Sequence, residues 1–463
     1  MPNSSSLLLL LSGNLFLQAA LALSLTLLLH FIKIPAFLLS GLFTYVHPDD
    51  VTPNNASSNG IRAAIRRPGT NDSELKPRKK SKERFEFDEN KAQIFRLKLS
   101  DGHLQTRIYF EDFCRVFNSI LVSLSCLLLH RFLPKSEESG VLKNGSFIPI
   151  LFGFLGVGRI FVLIFRISFE RSASKLSEKH LSVLLGFLGF IVSLAIVHGA
   201  VPKWVFDVHF EAIHGFEKLF IAIFMGCISC FLYMPAVRIA HAFWLGTDQL
   251  RCNLPIISCG WFARLVLHAN YLIMGLTSML WVKPFADLLL IDLLLIDQNK
   301  GSYQNARIEH VTELVGNVGM HKSEFSSFRL WCLLISGLLQ IVSLRSNVQM
   351  YLNEAVLCWY QRLHASKVPD LAYSRAKVFL HNHFVCLVVL QFFLPASMVL
   401  LFLGLSQLGD DLLTNYEGVC SLLPCSLLDK EVALFMAWWV LFVWTIYTSV
   451  TLALFRQGIL FVY

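Results

Sequence analysis

Six polar side chains recur at helical spacing between residues 327 and 363: Arg329, Ser336, Gln340, Ser343, Asn347 and Glu354. At about 100° per residue they fall within roughly 40° of one line on a helical wheel. The stretch holds no proline and a single internal glycine, Gly337, so it reads as one continuous helix. A polar seam on an apolar rod has two uses in a membrane. It can bond to neighbouring helices, or it can line a wet pathway for an ion or small solute.

Other residue types with chemical potential are less organised. Arg159 lies inside an apolar block, after Gly153, Gly156 and Gly158. Those glycines let a neighbouring helix approach closely; no strand precedes them, so they are not a dinucleotide fingerprint. Arg159 is an intramembrane charge that either snorkels to the membrane face or serves a buried function. Cys227 and Cys230 form a CISC pair without a second ligand pair, which favours packing over metal or redox chemistry. His209 and His214 are five apart and His381 and His383 two apart, and neither spacing gives the i, i+4 face of a helical metal site. No His-Glu-x-x-His or Gly-x-Ser-x-Gly occurs. The residues therefore support no enzyme, cofactor or metal.

The elements that carry these residues follow from composition. Of the 463 residues, 55% are hydrophobic and only 16% charged, where a soluble domain carries nearer a quarter. The apolar residues come in blocks of about 20, the length that spans a bilayer as a helix. The expected fold is all-α: a polytopic membrane bundle of about nine transmembrane helices, with a disordered basic cytosolic loop. Its spans fall near 7–30, 112–132, 147–166, 181–201, 218–242, 261–282, 328–350, 380–404 and 432–455. Residues 1–46 hold the first span, read as retained rather than cleaved, and a short interfacial helix over 31–46. Residues 47–108 form the loop, with Lys76 to Arg84 as its basic run and a short hairpin around Asp101-Gly102. Residues 109–463 form an eight-helix bundle. The block 285–296 is too short and acidic to cross, and reads as interfacial or re-entrant.

Apart from Glu354 in the extension beyond the seventh span, the polar groups of the seam are neutral or sit at a span end. No expected span core holds an Asp or Glu, which argues against a cation-coupled transporter. The net charge of +8 is concentrated in the loop, a poor match to nucleic acid. Lys and Arg are denser on the side holding that loop, so the N-terminus is expected outside or in a lumen and the C-terminus in the cytosol. Asn3 and Asn144 are then luminal sequons for N-glycosylation. Cys420 and Cys425 share a luminal loop, where a disulfide or two free thiols are the alternatives.

Several short motifs occur together: Met234-Pro235-Ala-Val-Arg238, Trp281-Val-Lys283-Pro284, Arg329-Leu-Trp331, Arg345-Ser-Asn-Val-Gln349-Met-Tyr351-Leu-Asn353 and Gln391-Phe-Phe-Leu-Pro395. Trp438-Trp439 and His47-Pro48 flank them. The set resembles the eukaryotic transmembrane protein 161 family. That resemblance implies a multi-pass, often glycosylated membrane protein with no assigned catalytic activity, linked in animals to regulation of ion currents. It gives the matched residues no roles. Physically, Pro235, Pro284 and Pro395 are expected near membrane ends or at breaks in a span. Trp281, Trp331, Trp438 and Trp439 suit the interfacial belt. The expected function is a membrane protein acting in the lipid bilayer through a membrane-protein partner. Residues 351–363, with Val348, Leu352, Ala355, Trp359 and Leu363 on one stripe, would dock that partner. The alternative is a channel or transporter whose pathway follows the seam.

Overall fold

The computed structural model describes residues 4–46, 61–63, 94–132, 147–169, 176–202, 204–208, 215–249, 261–289, 322–365, 371–408 and 430–460. In chain order these form α1 (Ser4–Phe31), α2 (Ile34–Leu39), β1 (Phe43–Val46), β2 (Ile61–Ala63), β3 (Ile94–Lys98), α3 (Asp101–Gln105), α4 (Phe110–Phe132) and α5 (Phe147–Phe169). There follow α6 (Leu176–Val197), α7 (Gly215–Gln249), α8 (Trp261–Met279), α9 (Lys283–Leu289), α10 (Lys322–Ala365), α11 (Leu371–His383), α12 (Val385–Ser406) and α13 (Lys430–Arg456).

The polytopic all-α architecture is present, but the count of nine spans is not. Seven described helices (α4, α5, α6, α7, α10, α12 and α13) are long and apolar enough to cross a membrane. The other two expected spans fall on α1, whose apolar part runs from Leu15 to Phe31, and on the 19-residue α8. With Arg264, His268, Asn270 and Tyr271, α8 carries too much polarity to read as a span on its own.

The helix α12, VCLVVLQFFLPASMVLLFLGLS, is apolar on every face. A helix of that kind has no side to turn to water and is most stable at the centre of a bundle. Every residue of its most apolar 18-residue window is buried. Around it pack α4, α5, α7, α10 and α13. By contrast α6 lies outside, against α7, and exposes Val183, Leu184, Phe187 and Leu188. Such residues belong against lipid.

Two prolines behave otherwise than expected. Pro235 lies inside α7 and Pro395 inside α12, and neither helix breaks. Membrane helices tolerate proline because neighbours re-satisfy the freed carbonyl.

The N-terminal part is also different. The expected helix over 31–46 is confined to α2 and gives way to a strand, β1. The hairpin expected around Asp101-Gly102 is absent: β3 ends at Lys98 and Asp101 opens α3. β3 pairs instead with two distant partners, giving an antiparallel sheet in the order β1-β3-β2, with Phe43 opposite Lys98 and Ile61 opposite Arg96. The part of the loop expected to be disordered thus contributes a strand at Ile61–Ala63, while the expected hairpin region contributes only the strand Ile94–Lys98. Its basic run, Lys76 to Arg84, lies outside the described residues.

Candidate functional site

α10 is one unbroken helix of 44 residues, about 66 Å long at 1.5 Å per residue. Its seam faces inward. Ser336 and Ser343 are fully buried, and Gln340, Asn347 and Glu354 nearly so. Arg329 is half-buried. In the middle of the seam the Asn347 amide donates to Ser343 Oγ at 3.2 Å, and Ser343 Oγ donates to the Gln340 carbonyl. Ser336 Oγ and Gln340 Nε2 have no hydrogen-bond partner among the described residues.

Each end of the seam holds a charged group with partners from distant parts of the chain. At one end Arg329 Nη2 lies 2.7 Å from Asp207 Oδ2, and its Nε donates to the Leu280 carbonyl at 3.0 Å. Its guanidinium also sits over the rings of Trp281 and Phe325. Asp207 is held there because its N–H donates to the Trp281 carbonyl, beside the bridge between Phe206 and Val282.

At the other end Glu354 is the centre of a cluster. Its Oε1 lies 3.2 Å from His241 Nδ1 of α7, and 3.4 Å from His381 Nε2 and 3.8 Å from Lys377 Nζ of α11. Lys377 Nζ also donates to Cys358 Sγ at 2.9 Å. Tyr351 stacks on the His381 ring, and Phe455 of α13 lies against His241. These partners come from two other helices, α7 and α11, and together they stabilise a carboxylate in an apolar run.

The His381 ring fixes what this cluster can do chemically. Its Nδ1 faces the Lys377 carbonyl at 2.9 Å and its Nε2 faces Glu354. A carbonyl only accepts, so Nδ1 carries a hydrogen. Nε2 faces the Glu354 carboxylate, and through that one carboxylate the cluster ties α7, α10 and α11 together. Twenty-five residues separate Arg329 from Glu354, roughly 37 Å along the helix. The two charged ends thus flank a hydrocarbon layer of about 30 Å.

Residues 202–412 match the family model described as predicted transmembrane protein 161AB. No solved structure matches the chain. The resemblance carried by the motifs from Pro235 to Pro395 therefore stands on residues 202–412, and Trp438-Trp439 and His47-Pro48 lie outside the matched stretch.

The structure brings six of those motif residues to two places. Arg345, Gln349 and Asn353 lie on one face of α10 and all reach the N-terminal segment. Arg345 Nη1 donates to the Leu38 carbonyl at 3.1 Å, Gln349 bonds Phe43, and the Tyr45 hydroxyl donates to Asn353 Oδ1 at 3.3 Å. Arg238 Nη1 donates to Gln391 Oε1 at 2.7 Å, joining α7 to α12 beside Pro235. Tyr351 belongs to the Glu354 cluster and Trp281 to the Arg329 end. Lys283 opens α9 with Pro284 beside it, and its N–H donates to the Val205 carbonyl.

Several expectations fail on inspection of burial. Trp438 and Trp439 are not in an interfacial belt but in the core, where their N–H groups donate to the Ser278 carbonyl and to Met225 and Ser229. Trp281 is buried as well, stacked on Trp438; Trp331 alone of the four is exposed. A tryptophan suits a bundle core as readily as a headgroup layer once its N–H finds an acceptor. The stripe of Val348, Leu352, Ala355 and Trp359 is not an open docking face either. Ala355, Val356 and Trp359 pack with Tyr45, Ile94 and Val378, so the sheet and α11 already cover it. The Leu363 side chain lies outside the described residues.

Arg159 is exposed on the bundle surface. A β-carbon on Gly153 or Gly156 would meet Leu405 or Ser123 at 3.0 Å or less, whereas Gly158 meets nothing within 4 Å. Cys227 is exposed and Cys230 half-buried, both as free thiols. Asn3, Asn144, Cys420, Cys425, His209 and His214 lie outside the described residues. Sequence reasoning missed His241, Lys377, His381 and Asp207 as partners of the seam. The available signal was Glu354 itself, a carboxylate inside an apolar helix that must find cations elsewhere in the chain.

Proposed function

We propose that this chain is a non-catalytic integral membrane protein that acts on a partner membrane protein, and through it on ion currents or membrane transport. In this reading the N-terminus is outside or luminal and the C-terminus cytosolic. The observation that supports it most is the close packing beside the seam. A β-carbon on Gly337 would meet Leu400 of α12 at 2.8 Å, and Ser336 and Ser343 are fully buried against the same bundle. These groups are packed between helices, although the hydrogen bonds of Ser343 and Asn347 stay within α10. Since the stripe on α10 is covered by the protein itself, a partner would meet the lateral, lipid-facing surface of the bundle, of which the exposed apolar face of α6 is one part.

Affinity capture of the tagged full chain from mild detergent, after crosslinking in the membrane, tests this reading. A membrane-protein partner that crosslinks through residues placed at Leu184 or Phe187 is the expected result. Recovery of the bare chain, unchanged by crosslinking, would overturn it.

One observation favours the second reading, a polar pathway along the seventh of the expected spans. Ser336 Oγ, Gln340 Nε2 and Asn270 Oδ1 are buried without hydrogen-bond partners among the described residues. Cysteines placed at Ser336 and Gln340 separate the two readings. Labelling by a water-soluble thiol reagent supports a pathway, and protection supports packing.

A further inference from the structure

Arg159 stands at the middle of α5. The membrane-spanning part of that helix runs over 21 residues, Ile148–Ser168, which puts Arg159 eleven positions from one end and nine from the other. At 1.5 Å per residue these are about 16 Å and about 14 Å. Arg159 is exposed, and it has no hydrogen-bond or ion-pair partner among the described residues. Leu151, Leu155, Val162 and Phe165 are exposed around it. Their helical spacing makes one apolar outer face with a single charge at its centre.

Two ordinary explanations of such a charge fail here. Snorkelling serves arginines near helix ends. In a helix the Cα–Cβ bond tilts toward the N-terminus, so the Arg159 side chain starts back toward Ile148, the farther end. Internal pairing fails as well, since Asp112 at the nearer end is taken by Arg166. Self-association does no better. Among the described residues the carboxylates of the apolar helices stand at helix ends, except Glu354, which is buried in its cluster. A second copy of this chain would bring no anion to this depth, and a symmetric contact through this face would set Arg159 against Arg159.

We infer that the outer face of α5 docks a transmembrane helix of another protein, one that carries an Asp or Glu near the middle of the bilayer to pair with Arg159. Charge complementarity selects this occupant. A cation at this depth is unfavourable alone, and a carboxylate on the facing helix satisfies both groups through charge-assisted hydrogen bonds. Gly158 supplies the room. A β-carbon there would meet nothing within 4 Å, whereas Gly153 and Gly156 are closed off by Leu405 and Ser123. An outward glycine beside the charge lets the partner's backbone come close. The inference rests on the reading of a membrane-protein partner given above, and names a docking face and the partner's chemistry.

The test uses the full chain reconstituted in phosphatidylcholine vesicles with synthetic transmembrane peptides of leucine and alanine that carry Asp, Asn or Leu at the centre. Fluorescence energy transfer between labelled chain and labelled peptide reads association. The Asp peptide should associate saturably, and roughly tenfold more tightly than the Leu peptide. R159L should bring it down to the level of the Leu peptide, while R159K should keep most of the difference. G158L leaves the charge in place and should weaken the Asp peptide by closing the notch. Both positions are exposed, so the variants should melt as the wild type does. Equal association of the Asp peptide with either the Leu or the Asn peptide would overturn the inference, as would an Asp peptide indifferent to R159L. Loss of the Asp preference on adding phosphatidylglycerol would assign the arginine to a lipid headgroup instead. A negative result here with crosslinks at Leu184 or Phe187 intact would fault the α5 face alone; loss of both would remove the partner reading too.

Discussion

The side-chain amide of Gln349 pairs with both backbone groups of Phe43: its Oε1 accepts the Phe43 N–H at 2.9 Å, and its Nε2 donates to the Phe43 carbonyl at 3.0 Å. β1 is an edge strand of the sheet, and an exposed edge invites wrong pairing. Gln349 occupies that edge as a further strand would. Four residues to either side, Arg345 donates to the Leu38 carbonyl and Asn353 Oδ1 accepts from the Tyr45 hydroxyl. Spacing of four puts the three side chains on one helix face. The motif residues thus form a clasp that fastens the sheet to α10, and with it the two ends of the long basic segment.

Replacing Gln349 by Leu should open the clasp. Two partly buried backbone groups lose their partner, each at a cost of about 1–3 kcal/mol if left unsatisfied. Amide exchange over Phe43–Val46 should quicken about tenfold or more, since 1.4 kcal/mol is a factor of ten. Exchange in α12 should not change. An alanine at the exposed Trp331 serves as the control and should alter neither. Unaltered exchange at β1 in the Gln349 variant would show that the sheet is held by its apolar contacts alone.

The Glu354 cluster predicts an asymmetry between two substitutions. Glu354→Ala leaves His241, Lys377 and His381 facing one another without their carboxylate, and breaking a buried ionic group in this way costs about 3–5 kcal/mol. Glu354→Gln keeps an acceptor oxygen and should lose less. Thermal unfolding in detergent should rank them wild type, Gln, Ala. An alanine variant as stable as wild type would mean that the cations reach solvent.

Lys377 carries a pH signature of its own. Burial works against its charge, but Cys358 and Glu354 beside it outweigh that, and its pKa is raised above the ordinary 10.5. A group whose pKa is higher in the folded state adds stability below the unfolded value and loses it as pH rises through the folded one. The wild type should therefore lose stability relative to a Lys377→Met variant as pH rises above about 10.5. Melting curves of both proteins on either side of that pH check it. Parallel curves throughout would place the ammonium in solvent.

The seam was legible because its information is local. Helical periodicity alone put Ser336, Gln340 and Ser343 on one line, and a line of polar groups in lipid has only one direction to face. The partners of Glu354 were not legible, because His241 and Lys377 come from helices with their own apolar patterns and reach the carboxylate only through packing. The sheet was hidden for a related reason: β1 and β3 are more than forty residues apart in the chain, and strands of four and five residues leave little alternation to read. Trp438 and Trp439 depart from the expected belt because an aromatic ring with one donor suits both a headgroup layer and a core. What decided between them was an acceptor on another helix, Ser278 for one and Met225 for the other.

Leu280 meets Arg329, and Thr277 Oγ1 reaches the Cys332 carbonyl, so α8 and α10 run antiparallel with residue numbers falling on one as they rise on the other. Seven residues further along, Asn270 comes level with residues 339 and 340. Asn270 Oδ1 is a buried acceptor without a partner among the described residues, and Gln340 Nε2 a buried donor in the same condition. One lacks what the other supplies, and lipid offers neither a substitute. A side-chain rotation that joins the two amides would satisfy both, and in that case Asn270→Leu and Gln340→Leu should each cost about 1–3 kcal/mol in a double-mutant cycle by stranding the other group. The double variant should cost less than their sum, with a coupling of at least 0.5 kcal/mol. Strict additivity would show that the two amides serve different partners. Coupling together with protection of a cysteine at Gln340 from water-soluble reagents would make this level of the bundle a helix-to-helix fastening and close the pathway there.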